Sequence, residues 1–396
     1  MKNINNYKCL ACGGGVKFDP KTGMVVCEYC DSKFTIEEIE KAYGSPDEKS
    51  AEVSGSDEQV EKSENEAENE DSSVNNEGFD SGDTKWDTDG LSSDWGSDGS
   101  KMREYSCPSC GASLICEETT AATSCPYCDN PTVIEKQFAG NLKPDYVIPF
   151  KLTKKDAIEA LKKFYNGKKL LPKAFSNENH LEETKGIYVP FWFFNGTTIG
   201  NATFKTTKRS STRRGNTETI TTYHYSCYRE GTLDFKMVPV DASKKMPNDM
   251  MDSLEPFNYK ELKEFSTAYL PGYLADKYDD TVENCFPRAN TRCAQTLLSD
   301  FRASVNGYNT VSLIHKNIKL KSGKVNYGLV PVYLLYTKWH DEKYLFAVNG
   351  QTGKVVGKLP MSGKLAFLYT LKNFLISSAV GGLIYFLILK IAEHAS

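Results

Sequence analysis

Eight of the twelve cysteines in this 396-residue chain are spent on one device, used twice. Cys9 and Cys12 form one CxxC pair and Cys27 and Cys30 a second, with fourteen residues between the pairs. Cys107-Pro108-Ser109-Cys110 and Cys125-Pro126-Tyr127-Cys128 repeat that arrangement at the same fourteen-residue interval. A CxxC turn aims two thiolates at one point. Two such turns on a short ribbon complete a tetrahedral sulfur cage that suits zinc. Four sulfurs leave no open coordination position, so such a cage holds a fold together and does no chemistry. The expectation is two structural Zn2+ ions, one per ribbon, in a reducing compartment where thiolates persist.

The other reactive residue types offer less. His224 and Cys227 are spaced like a ligand pair but have no second pair nearby in sequence. Cys285 and Cys293 flank Pro287, which argues against one helix aligning them, and they read as buried structural thiols. Cys116 stands where Phe18 stands in the first ribbon, so it reads as a core residue and not a fifth ligand. No HExxH is present for a zinc hydrolase. A P-loop needs GxxxxGK[ST] to cradle phosphate. Gly350-Gln351-Thr352-Gly353-Lys354-Val355 has only two residues between its glycines and no hydroxyl after the lysine, and reads as a hairpin turn. The chain is therefore read as non-enzymatic, with no catalytic residue and no evident small-molecule substrate. Carboxylates are plentiful, and a hidden hydrolase site stays open. Lys205, Lys208, Arg209, Arg213 and Arg214 make one stretch basic. They are candidate anion-binding residues for nucleic acid or lipid head groups. The alternative is a charged edge that resists strand pairing.

These residues need elements to position them, and the pattern is α+β: two small zinc ribbons, a repeated α+β body and one C-terminal transmembrane helix. Residues 1–43 read as the first ribbon with a short helix. Strands at Val16-Lys17-Phe18 and Met24-Val25-Val26 are joined by turn residues. Thr35 and Glu38 make a capping box, and Ile36, Ile39 and Tyr43 face back on the ribbon. Residues 44–100 hold eighteen acids against three lysines, so this stretch carries −15 while the rest sums to +11 out of an overall −4. It reads as a disordered acidic linker that tethers the first ribbon without docking it. Trp86, Leu91 and Trp95 within it read as isolated aromatic and apolar residues, or as a short partner-binding motif. Residues 101–137 read as the second ribbon.

The body spans 138–360. Residues 147–155 are echoed at 237–245, and Tyr188-Val189-Pro190-Phe191-Trp192-Phe193 is echoed at 269–274 and 329–334. Proline inside such apolar runs points to edge strands or bulges. A helix is expected at Lys154 to Tyr165, a long hairpin from Thr197 to Phe235 turning at Arg214-Gly215-Asn216, and a helix from Arg288 to Val305. A closing hairpin is expected around Asn349-Gly350. Residues 361–396 read as the membrane anchor and tail. The sixteen uncharged residues 374–389 cover about 24 Å of helix, with lysines at both ends to snorkel. A buried C-terminal helix is the alternative. Lys358, Lys364 and Lys372 before the span place the body in the cytoplasm, on the cell membrane by a single pass.

With these parts in view, the chain resembles the TFIIB-type zinc-ribbon membrane proteins of Gram-positive bacteria. The resemblance rests on the CPxC…CPYC ribbon, on Lys185-Gly186-Ile187-Tyr188-Val189-Pro190-Phe191-Trp192, and on Cys285-Phe286-Pro287-Arg288-Ala289-Asn290. It also rests on the run from Tyr344 to Lys354. It covers the second ribbon to the C-terminus. The resemblance implies a membrane-anchored cytoplasmic protein with no established catalysis, some of whose relatives look like anchors recruiting membrane-stress proteins of the phage-shock type. Two functions follow as expectations. The first is a scaffold or recruitment platform for protein partners. The second is a membrane-tethered nucleic-acid binder. The scaffold is preferred, because the acidic stretch would compete with phosphates for the basic residues.

Overall fold

The structure, a computed structural model, describes residues 8–43, 86–93, 95, 99, 102–117, 124–130, 134–136, 142–172, 174–175, 181–340 and 342–395. Most of the expected acidic linker lies outside the described residues.

The first ribbon forms as its turn chemistry dictates. Strands β1 (Val16–Asp19) and β2 (Met24–Cys27) pair antiparallel, and β3 (Lys33–Phe34) joins β2. The Asp19 carboxylate accepts from the Lys21 amide and the Thr22 hydroxyl, and Gly23 closes the turn at φ +68°. Helix α1 (Ile36–Tyr43) begins with the expected capping box. Glu38 Oε2 accepts from the Thr35 amide at 2.7 Å, and Thr35 Oγ1 accepts from the Glu38 amide at 3.1 Å. Ile39 is fully buried against the ribbon, and the Tyr43 hydroxyl donates to the Lys8 carbonyl.

This ribbon is docked, contrary to the tethered arm expected from sequence. The Phe18 amide donates to the Pro271 carbonyl, and the Phe18 ring packs edge-on against Tyr269 at 5.4 Å. Ala268 of the body is buried in the ribbon's own core. Lys21 pairs with Asp156 across the junction at 3.7 Å. Burying an aromatic ring against the body contributes on the order of 2 kcal/mol, which a free tether would forgo.

The second ribbon is built into the body. Strands β4 (Met102–Ser106), β5 (Ser113–Glu117) and β6 (Ile134–Lys136) sit at one end of a large mixed sheet. The other strands are β7 (Tyr146–Val147), β8 (Lys185–Arg214), β9 (Thr217–Asp241), β10 (Lys263–Glu264), β11 (Leu274–Asp276), β12 (Thr310–Trp339), β13 (Glu342–Asn349) and β14 (Val355–Gly357). The order is β10-β7-β12-β8-β11-β5-β4-β6, with β9 paired to β8 and β13 to both β12 and β14. Helix α2 (Lys154–Tyr165) buries Ala157, Ile158 and Leu161, as its spacing predicts. Helix α3 (Asn248–Leu254) is short, and α4 (Val282–Ala303) covers one face of the long strands.

Proline does not mark edges here, which corrects the expectation. Strands β8 and β12 are central and antiparallel to each other, with Val189 opposite Val330. Short β11 runs parallel beside the start of β8, and β9 takes over that flank from Phe191 onward. Pro190 falls at the changeover. In the same way β7 flanks β12 at Gly328 and Leu329, β13 takes over from Val332, and Pro331 falls between. The carbonyls of Pro190 and Pro331 accept from Ala242 and Gly350. Neither position needs the N–H that proline lacks.

The echoed segments take different structures. The apolar runs at 188–193 and 329–334 are both central strand, but 269–274 is a 3-10 turn leading into β11. A helix follows Thr153, whereas residues 243–247 turn before α3 begins.

Two further corrections follow from packing. Trp86 and Trp95 are buried in the main core, at 5% and 8% exposure, and not displayed from a linker. The Trp86 indole N–H donates to Asn290 Oδ1 at 2.8 Å, its ring meets Phe194, and Asp87 exchanges backbone hydrogen bonds with Gly323 and Val325. Gly196 and Gly323 make room for the ring, since a Cβ on Gly323 would lie 2.3 Å from it. Helix α4 starts at Val282, six residues before the expected start, with Pro287 inside it. Pro287 falls in the second turn, where it forfeits the one backbone hydrogen bond an amide there would make to the Glu283 carbonyl, and the helix continues through it. That one helix carries both Cys285 and Cys293 inward, and burial pushes both thiols up to about 12.

Helix α5 (Gly363–Ala395) is continuous. Over Gly363–Phe386 it is long and apolar enough to cross a membrane, and none of that stretch is buried in the protein. A helix packed in a soluble core would be covered. At 1.5 Å per residue these 24 residues cover about 36 Å.

Candidate metal centres

Four CxxC knuckles share one backbone design. In each, the residue after the second cysteine takes a left-handed conformation: Gly13 at φ +74°, Asp31 at +56°, Gly111 at +71° and Asp129 at +56°. Its amide donates to the carbonyl of the first cysteine, at 2.8 Å for Gly13, 3.1 Å for Asp31, 2.9 Å for Gly111 and 3.0 Å for Asp129. Glycine and aspartate tolerate this conformation better than most residues. The turn swings both sulfurs of a knuckle to the same side.

The knuckles then meet in pairs. Cys9 Sγ lies 3.4 Å from Cys30 Sγ, and Cys12 Sγ lies 3.5 Å from Cys27 Sγ. In the second ribbon Cys107 meets Cys128 and Cys110 meets Cys125, both at 3.6 Å. Within each group all four sulfurs lie within 4.8 Å of one another. A zinc–sulfur bond of about 2.3 Å sets the edge of a tetrahedron at roughly 3.8 Å, so each group fits one ion. A disulfide needs about 2.05 Å and is not formed.

Without a cation the thiols divide the charge unequally. Hydrogen bonds from Ser32 hold Cys30 down to about 6. The Gly14 amide favours the Cys12 thiolate, yet its sulfur neighbours push Cys12 up to about 12. Four crowded thiols cannot ionise together unless a positive charge stands between them. Amides of Ala11 and Tyr29 point at the sulfurs of Cys9 and Cys27 and would share the charge of a bound cage.

The two centres differ in setting. Cys12 and Cys30 are exposed, while no cysteine of the second group is. The second group is wired to the body. Tyr127, between two of its cysteines, donates to Asp276 Oδ2 at 2.5 Å, and Ser243 donates to the same oxygen at 2.7 Å. Lys185 at the start of β8 reaches Ser124 and pairs with Asp129 at 3.3 Å. Spacing alone could not have picked out Tyr127, Asp276 or Lys185. Their only local mark is a tyrosine inside a CPYC knuckle.

Asp276 is 2% exposed. Burial pushes its carboxyl up to about 7, against the pull of the Tyr127 and Ser243 hydroxyls. Asp279 raises it further and Lys245 lowers it. The unfolded value is about 3.9. A raised folded value favours the protonated fold, so this group costs nothing below pH ~4. The cost grows as pH rises and levels off above pH ~7, at a few kcal/mol. Asp276→Asn keeps an acceptor for both hydroxyls and removes the titration. Its melting temperature should therefore rise relative to the parent between pH 5 and pH 8. A constant difference over that range would contradict the assignment.

The other expected positions are placed as follows. Cys116 is fully buried and outside the cage. His224 and Cys227 lie on β9 with no third ligand, since the two four-cysteine groups are the metal-capable clusters found among the described residues. Lys205, Lys208, Arg209, Arg213 and Arg214 are exposed along β8, and alternation divides them between its two faces. The 350–355 turn is the loop between β13 and β14. Its Asn349 Oδ1 accepts from Gln351 and Thr352, and its Nδ2 donates to the Leu254 carbonyl. Arg288 and Arg292, one turn apart on α4, tie that helix to Asp241, Asp252 and Glu255. The segments that carry the resemblance are thus the joints of the body.

A search of curated proteins finds an uncharacterized protein of Bacillus subtilis strain 168, YdjG, 37% identical over 235 residues. The match covers 59% of this chain and 69% of that protein. No family model and no solved structure matches.

Proposed function

The chain belongs to the same family as Bacillus subtilis YdjG, and from that premise we propose that it is a membrane-anchored, non-enzymatic scaffold whose two sulfur cages hold zinc. The body lies on the cytoplasmic side, and its ribbons and cleft receive a protein partner, in the manner of the TFIIB-type zinc-ribbon proteins it resembles. The observation that carries this reading is a cleft of about 740 Å³ where the first ribbon, the second ribbon and the body meet. It is lined by Lys17, Asp19, Lys154, Lys185, Tyr273 and Tyr333. Charges of both signs beside tyrosines suit an extended peptide segment. Both metal groups are closed, which fits structure and not turnover. We also read β7–α2–β8–β9 and β11–α4–β12–β13 as two copies of one unit. Each long strand follows a short strand and a helix, and each is flanked first by the other unit's short strand.

A second reading has an observation of its own. The β8–β9 hairpin exposes Ile220, Tyr223, Tyr225 and Tyr228 beside its basic residues, a composition that also suits single-stranded nucleic acid. Crosslinked capture from the native membrane separates the two. A protein partner retained after loss of Lys208, Arg209, Arg213 and Arg214, and lost on deletion of residues 1–43, supports the scaffold. Recovery of nucleic acid that falls steeply with salt would replace it with the second reading.

A further inference from the structure

Two acid-free stretches, distant in sequence, meet where the apolar helix begins. Between Glu159 and Glu178 the chain has five lysines and no acid, and between Glu342 and Glu393 it has six lysines and no acid. The Ser362 amide, just before α5, donates to the Leu170 carbonyl at 3.0 Å. Lys169 Nζ stands 5.4 Å from the centre of the Tyr369 ring on α5, and Lys168 Nζ stands 5.3 Å from that of Phe164. Lys162, Lys163, Lys168, Lys169, Lys358 and Lys364 are all exposed. Among the described residues no carboxylate pairs with any of them. Lysines elsewhere on the body do pair, as Lys151, Lys185, Lys244 and Lys245 show. Met361, Phe367 and Leu368 are exposed beside this collar.

We propose that this lysine collar, built jointly by the last turn of α2, the 166–172 loop and the base of α5, is a binding surface for anionic lipid head groups. The proposal rests on the reading of α5 as a membrane anchor. If α5 enters a bilayer, the hydrogen bond to Leu170 brings the loop to the head-group layer. Unpaired ammonium groups there meet phosphates, and their methylene stems lie along apolar surface. Each lysine near an anionic surface is worth about a fivefold gain in affinity. With attachment at both the helix and the loop, the body takes one orientation to the membrane and does not swivel on a tether.

The test uses the full chain in nanodiscs of phosphatidylcholine, alone or with a third replaced by phosphatidylglycerol. Amine-reactive labelling read by mass spectrometry gives a rate for each lysine. Labelling of Lys162, Lys163, Lys168 and Lys169 should slow severalfold with the anionic lipid and recover in high salt. Lys205 and Lys208 on the hairpin should not change. Equal rates in the two discs, or slowing that includes the hairpin, overturns the collar. A Lys168→Gln, Lys169→Gln chain should show less protection at Lys162 and Lys163, and unchanged protection there also counts against it. Failure of the chain to co-elute with discs overturns the anchor reading, and the collar with it.

Discussion

Replacing Cys125 with serine should release one metal equivalent and unfold the body, while replacing Cys27 with serine should release one equivalent and leave the body folded. The asymmetry follows from the sheet. Strand β5 lies between the knuckles of the second ribbon and pairs with β11, which pairs with β8 at the centre of the body. A structural zinc contributes on the order of 10 kcal/mol, comparable with the whole stability of a domain. Without it the Tyr127 hydroxyl leaves Asp276, and β5 has no reason to stay straight. The first ribbon has a sheet of its own and meets the body through Phe18, Lys21 and α1. Metal analysis with near-ultraviolet circular dichroism reads both effects. Two ions tightly held by the Cys125→Ser chain would sink the cage. An unchanged melting temperature in that chain would sink the link to the sheet.

The second large effect is expected at Trp86. Truncation to alanine should cost about 3–5 kcal/mol, the range for a buried tryptophan. The ring fills the space above Gly196 and Gly323 and satisfies Asn290 on α4. Its loss leaves a void and an orphaned amide oxygen. Trp86→Phe should recover part of the packing but not the hydrogen bond. Denaturant unfolding measures the difference. A cost below about 1 kcal/mol for Trp86→Ala would mean that the segment around Trp86, a strap laid over Gly196 and Gly323, rests on the surface.

What the sequence made legible was local. The cages follow from CxxC spacing, and the capping box at Thr35 from a three-residue pattern. The long hairpin and the 350–355 turn follow from alternation and glycine. What it hid was distant or overridden. Acids around Trp86 in sequence mask its apolar role, because composition averages over a stretch in which two tryptophans are buried. Pro190 and Pro331 suggested edges, since nothing local says that the flanking strand changes at that residue. Pro287 suggested a helix start, although the helix runs through it because packing of its buried face outweighs the one lost backbone bond. The lysine collar joins residues 170 and 362, which no periodicity connects.

The Trp86 strap also sets an order in time. Its socket on α4 lies 204 residues downstream. At a synthesis rate of about 5–20 residues per second, the strap waits roughly ten to forty seconds on the ribosome before Asn290 exists. During that wait a bare tryptophan is a hazard for aggregation. The eighteen acids that the sequence places in residues 44–100 would keep the nascent segment soluble until the rest of the chain arrives to receive it.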